Sequence, residues 1–522
     1  MYLKLEDLST EQKLGMVLCA RRCNNPDDFA YTLELVRNHA VGCIQVPIND
    51  KTPELVRAIR EAADYPVLII NDMEQGYPRA DLPKMSAMTL AACSNKEYIR
   101  AFARGIVATA SADGFSGTWC PVVDVLHCDG PCSVSRHFSD DPMKVAEAAA
   151  EISRVFVEHG FVATAKHYPG GNNLPVDTHM AEGFSELTEK ELLEFDLVPY
   201  LELMKQGLLP SIMTGHRVFP NIDPERPASL SKPVIDIIRR LGFDGVAFTD
   251  SLAMMGILQK YGEENVLGMA IAAGNDIVLT NYRTPTKKCL EMLRQNYRDG
   301  MFTEERLDEA VRRVLALQKF VAEREKNRVT LTNRDLECLN NVTRDCITAI
   351  TDEGVEASLG DPNARRLFVV LTELGFSDAN EAEITQGKWY FPSKIADKIR
   401  AEFPNSNVVF LPEFAAAKDN DRVLTEATKY SEVVFVTFCT TSAYLGTDGL
   451  TRRAEALINS TIISGKVSAV LHFGNPYALK PIHHVPRRIF GYNSPDSQLH
   501  AIEVLSGKIP ARGKLPFDIQ FD

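Results

Sequence analysis

From Leu14 to about Leu317, short apolar runs alternate with longer segments whose apolar residues recur at helical spacing. This alternation constrains the fold most, because repeated strand-helix units build a parallel sheet covered by helices. The expected strands are 41–46, 66–70, 117–125, 161–165, 209–213, 245–248 and 276–279. An eighth is expected near Ile106 or elsewhere, since periodicity alone does not close the count. Five of the runs deliver polar side chains at the same end: Asn71-Asp72, Asp124, Lys166-His167, Thr214 with His216, and Thr249-Asp250. In a closed barrel of parallel strands that end is the mouth, where sites are built from the following loops. A strand-end aspartate also serves to cap the next helix, and Asp124 fits either role. The expected fold of residues 1–325 is a barrel of parallel strands, for which the (β/α)8 TIM-type barrel is the closed form.

Composition narrows the class of partner. The balance of 57 basic and 70 acidic residues gives a net charge of −13, which argues against a broad nucleic-acid surface or an anionic-membrane surface. No run approaches eighteen apolar residues, so no membrane span is expected. The eleven cysteines are odd in number and lack paired short spacings, as expected of reduced thiols in a cytoplasmic protein. Residues 1–13 alternate charge with leucine and lack the pattern of a secretory leader. A homodimer is left open as the oligomeric form.

The densest chemistry lies between Lys166 and His179. Lys166 and His167 leave the 161–165 run together, a loop rich in glycine, proline and asparagine follows, and Asp177 and His179 stand two residues apart. At that spacing the carboxylate can hold one imidazole nitrogen and direct the other to proton transfer. An isolated Asp-x-His is more often a surface turn; its place after a polar strand end favours chemistry.

Lys166-His167-Tyr168-Pro169-Gly170, followed by Asp177-Thr178-His179, resembles the family 3 glycoside hydrolases, specifically the β-N-acetylglucosaminidase branch. Further matches in the family's order are Asp72 to Gly76, Cys120 to Val125, Ser135 to Pro142, Met213 to His216, Arg226 to Ser231, and Gly242 to Met254. The resemblance implies a retaining exo-glycosidase acting on terminal β-linked N-acetylglucosamine, a small carbohydrate, without metal or organic cofactor. By position it implies Asp250 as nucleophile and His179 as general acid/base supported by Asp177. It implies Asp72, Arg136, Lys166 and His167 as the groups that grip the sugar hydroxyls.

These residue types suit the reaction. A glycosidic bond breaks through an oxocarbenium-like transition state, so a carboxylate beside the anomeric carbon stabilises charge and can form a glycosyl intermediate. The leaving oxygen needs a proton and the later water must lose one; an imidazole with an ordinary pKa near 6.5 serves both steps. The chain departs from the family at Gly171-Asn172, where histidine and glycine are usual, and at Gln75 and Tyr77-Pro78, beside Asp72. Both departures bear on which sugar and leaving group fit. His127, Cys128, Cys132 and His137 do not have the spacing of a usual zinc site.

After a charged helix at 304–325, residues 326–364 read as a linker and 365–522 as a second α/β domain. Its expected strands are 367–371, 408–411, 433–437, 469–473 and 488–490, with helices at 392–403 and 452–464. The ending from Ser506 to Pro516 resembles the close of the second domain in two-domain family members, so the whole is expected as a barrel followed by an α/β sandwich domain. The loop 441–450 is the second domain's best candidate for reaching the site. Alternatives within the family are β-glucosidase or glycoside phosphorylase activity. A catalytically inactive sugar-binding protein, or a metal-dependent barrel hydrolase, would come from another class.

Overall fold

The computed structural model describes residues 1–127, 134–171, 177–324, 329–372, 391–439 and 449–521. Cys128, Cys132, Asn172 and most of the loop 441–450 lie outside them. The chain forms two compact units, Met1–Leu82 with Ile99–Pro131 and Asp141–Asp335, and Pro83–Tyr98 with Cys132–Asp140 and Leu336–Asp522. Among the described residues no helix is long and apolar enough to cross a membrane.

The first unit contains an eight-stranded parallel sheet. Its strands are β1 Leu18–Ala20, β2 Cys43–Gln45, β3 Leu68–Asn71, β4 Gly117–Thr118, β5 Val162–Tyr168, β6 Ser211–Thr214, β7 Val246–Thr249 and β8 Val278–Leu279. They pair in the order β7-β6-β5-β4-β3-β2-β1-β8. A bridge between Phe248 and Ile277 brings the two edges together, and the Thr249 N–H donates to the Ile277 carbonyl at 3.0 Å, which closes the barrel. Its interior is packed by side chains including Leu68, Trp119, Val162, Met213 and Phe248, all almost fully buried, as a small barrel requires.

The eighth strand is β1, and not a segment near Ile106, which sits inside the helix Lys96–Ala112. The helix Thr10–Met16 runs into β1 through the single residue Val17, itself apolar, so helix and strand read as one apolar run. The run 117–125 is also interrupted. Regular pairing stops at Thr118, because Pro121 offers no N–H to the ladder, and resumes as a bridge between Val122 and Lys166. At the opposite end of the barrel, Asp276 is fully buried and accepts from Arg239 at 2.7 Å and Arg306 at 2.6 Å, which ties the approach to β8 to the surrounding helices.

The second unit holds a six-stranded mixed sheet: β9 Thr348–Thr351, β10 Arg366–Thr372, β11 Asn407–Pro412, β12 Glu432–Cys439, β13 Val467–Gly474 and β14 Arg487–Phe490. The order is β9-β14-β13-β12-β10-β11, with β9 antiparallel to β14 and every other pair parallel. The five parallel strands and the helices Pro392–Glu402 and Arg452–Ile463 fall where the apolar periodicity puts them. The short β9 is additional.

Candidate active site

Every barrel strand contributes polar groups at its carboxyl end or just beyond it. Lys166, inside β5, is almost fully buried, and its Nζ donates to Asp72 Oδ1 at 2.6 Å and contacts Glu74 Oε1 at 2.5 Å. One buried ammonium thus holds two carboxylates, and the pair differs in access: the Asp72 side chain is 53% exposed, that of Glu74 only 18%. Asp72 is the member placed to meet a ligand hydroxyl, while Glu74 fixes the lysine from the other side. Asn71, at the end of β3, accepts from the Asp72 N–H at 2.7 Å and from Gln45 Nε2 at 3.0 Å, linking the mouth ends of β2 and β3.

His167 is held by Asp124. Its Nδ1 donates to Asp124 Oδ2 at 2.8 Å and its backbone N–H to Asp124 Oδ1 at 3.1 Å. Asp124 is thus a bidentate acceptor that orients the imidazole. The other ring nitrogen, Nε2, lies 3.8 Å from Asp250 Oδ2.

Asp250 follows β7. Burial alone would raise its carboxyl pKa, but His167, His216, the Ser251 N–H and Lys166 act together to hold it well below the usual carboxylate range. The Ser251 N–H donates to Asp250 Oδ1 at 2.6 Å. His216, after β6, is buried; its Nε2 donates to the Ser251 carbonyl at 3.0 Å and its Nδ1 meets Ser229 Oγ at 2.8 Å. Burial lowers the His216 pKa, while the Asp250 charge and the Ser251 carbonyl act to raise it. The result is an ionised carboxylate, 23% exposed, in a cationic and hydrogen-bonded setting.

Asp177 and His179 lie in the loop after β5. His179 Nδ1 donates to Asp177 Oδ1 at 2.8 Å, and the His179 N–H reaches the same oxygen at 2.9 Å. This fixes the tautomer and assigns proton exchange to Nε2 on a ring that is 34% exposed. The turn is tied to the segment that follows Asp250, because the Met255 N–H donates to the His179 carbonyl at 3.1 Å. Gly256 completes the junction: a Cβ there would stand 2.7 Å from the Ala181 carbonyl oxygen. Nearer β5, the buried Asp196 accepts from the Gly171 N–H at 2.7 Å and from His127 Nε2 at 2.8 Å.

The structure therefore brings Asp72, Lys166, His167 and Asp250 to one end of the barrel, with the Asp177/His179 pair tied to the segment beyond Asp250. Arg136 lies in the turn Val134–Arg136, which belongs to the second unit. Sequence reasoning assigned no site role to Glu74 or His216, although both stand in quoted motifs, and it passed over Arg21 and Gln45 altogether. Gln45 carried a signal, since it ends β2 inside the expected run 41–46, whereas Arg21 follows β1, which the expected strands did not include.

The chain is 28% identical over 333 residues to a β-N-acetylglucosaminidase/β-glucosidase of Cellulomonas fimi, an alignment covering 60% of this chain and 58% of that relative's length. It is 31% identical over 240 residues to a β-hexosaminidase of Idiomarina loihiensis, covering 44% of this chain and 72% of the relative. Among solved structures, a family 3 β-N-acetylglucosaminidase from Paenibacillus sp. str. FPU-7 superposes with a TM-score of 0.81 at 24% identity, covering 98% of this chain and 99% of that one. A β-glucoside phosphorylase superposes with a TM-score of 0.81 at 21% identity, covering 98% and 94%. These likenesses establish the shared two-domain fold. The family model for the glycosyl hydrolase family 3 N terminal domain matches residues 10–317, more than half of the chain and the whole set of barrel strands, and the protein belongs to glycosyl hydrolase family 3.

Proposed function

We propose that the protein is a retaining exo-glycosidase that releases terminal β-linked N-acetylglucosamine by double displacement. The observation that carries this reading is the pairing of an ionised, accessible Asp250 with an oriented His179 on a turn tied to the segment beyond it. In the first step an Asp250 carboxylate oxygen forms a bond to the anomeric carbon as the glycosidic bond breaks, and His179 Nε2 gives its proton to the leaving oxygen. In the second, the neutral His179 takes a proton from water, whose oxygen displaces Asp250 and restores the carboxylate. Asp177 supports the imidazolium formed in the second step.

Asp72 and Lys166 would bind adjacent hydroxyls of the ring as acceptor and donor, with His167 between them and the anomeric centre. The Idiomarina loihiensis relative, named a β-hexosaminidase, supports an N-acetylhexosamine, while the Cellulomonas fimi relative is named for both N-acetylglucosaminidase and glucosidase activity.

Phosphorolysis is the second reading, and the imidazole acid/base favours it: a neutral base repels an incoming phosphate less than a carboxylate would. Nitrophenol release from the β-N-acetylglucosaminide and the β-glucoside, with and without phosphate, separates the cases. The proposal expects turnover of the first substrate, reduced at least about a thousandfold in Asp250→Asn and about a hundredfold or more in His179→Ala. Stimulation by phosphate with a sugar 1-phosphate as product would identify a phosphorylase. Binding of the sugar without turnover of either glycoside would leave only the inactive binding protein.

A further inference from the structure

We propose that Arg21, immediately beyond β1, is a positioning residue that sets the Asp250 carboxylate through Ser251. The inference rests on the reading of Asp250 as nucleophile and adds a residue that no motif of the chain marks.

Its basis is a chain of short contacts. Arg21 Nη1 donates to Ser251 Oγ at 2.6 Å and to the Thr280 carbonyl at 2.9 Å, and its Nε donates to Gln45 Oε1 at 2.5 Å. Ser251 is thus held at its hydroxyl by Arg21 and at its carbonyl by His216, and its N–H is the group that donates to Asp250 Oδ1. With two sides of Ser251 fixed, its peptide N–H has one direction in which to point. Releasing the hydroxyl leaves the segment held by backbone contacts alone: His216 and the Met254 N–H at the Ser251 carbonyl, the Asp250 N–H at the Thr214 carbonyl and the Leu252 N–H at the Leu279 carbonyl.

The electrostatics point the same way. Among the described residues no carboxylate lies within ion-pair distance of Arg21; the acceptors in contact with it are a hydroxyl, a carbonyl and an amide oxygen. A half-buried guanidinium with only neutral acceptors in contact is stabilised by a countercharge nearby. Burial acts to lower its pKa, and Asp250 and Asp72 are among the neighbours that act to raise it. The guanidinium plane also lies against the Tyr282 ring, 5.4 Å from its centroid. A rigid planar fork can meet Ser251 and Thr280 from one nitrogen while Nε holds Gln45. The single ammonium of a lysine cannot reproduce that set.

A residue that merely tied strand ends together would lower stability and leave the chemical step of the folded enzyme unchanged. The test is a cycle of Arg21→Met, Ser251→Ala and the double variant, with Arg21→Lys and added guanidinium ion, assayed on whichever aryl β-glycoside the wild type turns over. Arg21→Met is expected to lose about a hundredfold in kcat/KM, carried by kcat, the scale of a misplaced reacting group. The double variant should lose little more than Arg21→Met alone. Arg21→Lys should recover only part of the rate, and guanidinium ion should raise Arg21→Met but not wild type.

A kcat/KM of Arg21→Met within about threefold of wild type, or fully additive losses in the cycle, would overturn the proposal. If Arg21→Met does not fold, the comparison of Ser251→Ala and Arg21→Lys with wild type decides, and unchanged kcat in both counts against it. If wild type turns over no β-glycoside, the functional reading fails, and crystal structures of wild type and Arg21→Met then judge this inference. A displaced Asp250 carboxylate supports it and an unmoved one refutes it.

Discussion

At the scale of single residues, the proposed chemistry depends on Asp250 staying ionised beside His167 and His216. Its carboxyl is held below the usual carboxylate range, so its contribution to stability is fully present above the ordinary aspartate pKa of about 3.9 and is lost as pH falls through its own lower value. The melting temperature of wild type relative to Asp250→Asn should accordingly be pH-independent from neutrality to about pH 4 and decline only in stronger acid. A relative decline beginning near pH 6 would mean that the carboxyl is not held low. The candidate site residues Lys166, His167 and Asp250 were legible as polar groups because they lie in short motifs at strand ends. Arg21 was not, because the apolar run preceding it merges a helix with a three-residue strand and hides the strand end. Asp124 was legible as a strand-end aspartate, but only coordinates show it serving both the ring and the backbone N–H of His167.

At the scale of elements, the loop carrying His179 is pinned at its start. Gly171 has φ +74°, and a Cβ there would lie 2.8 Å from Phe219 Cε1 and 3.1 Å from Ser185 Oγ. Phe219 and Ser185 leave no room for a side chain at this position. Gly171→Ala should therefore cost about 2–4 kcal/mol, combining left-handed backbone with overpacking. Gly207→Ala is the control. Gly207 has φ +68° and nothing within 4 Å of the added Cβ, so only the backbone cost of about 1 kcal/mol remains. Urea denaturation of the two variants measures the difference; equal losses would show that Phe219 and Ser185 yield to the added methyl group. None of this packing is visible in a sequence, where both glycines read as loop residues. The strand-helix alternation itself was legible, since buried parallel strands are apolar throughout. Strand lengths were less so, because Pro121 breaks a run that composition alone would extend to Val125.

At the scale of the whole molecule, the second unit makes its own contribution to acid sensitivity. His472, on β13, is fully buried; its Nε2 donates to the Asn475 carbonyl at 2.7 Å and its Nδ1 meets Thr437 Oγ1 at 2.8 Å. Burial pushes its pKa down to about 4. Above about pH 6.5 neither folded nor unfolded chain protonates this ring, and as pH falls toward 4 the unfolded chain takes up a proton that the native state refuses. Stability should therefore fall across that window, by up to about 3 kcal/mol from this group alone. His472→Gln should flatten the slope of unfolding free energy against pH between about 4 and 6.5, and an unchanged slope would place the sensitivity elsewhere. The two-unit organisation was legible from the recurrence of strand-helix periodicity after residue 365. That 83–98 and 132–140 join the second unit was not, because neither stretch carries a change of composition at its ends.

The central claim is that Asp250 becomes covalently attached to the sugar, and the most direct test is to trap that species. Wild type incubated with a slow fluorinated N-acetylglucosaminyl donor should gain the mass of one sugar residue, and the peptide bearing the adduct should contain Asp250. His179→Ala with an activated aryl leaving group should accumulate the same adduct, since departure then needs no acid while the second step still lacks its base. Turnover without any adduct, or an adduct on Asp72 or Glu74 in place of Asp250, would contradict the account.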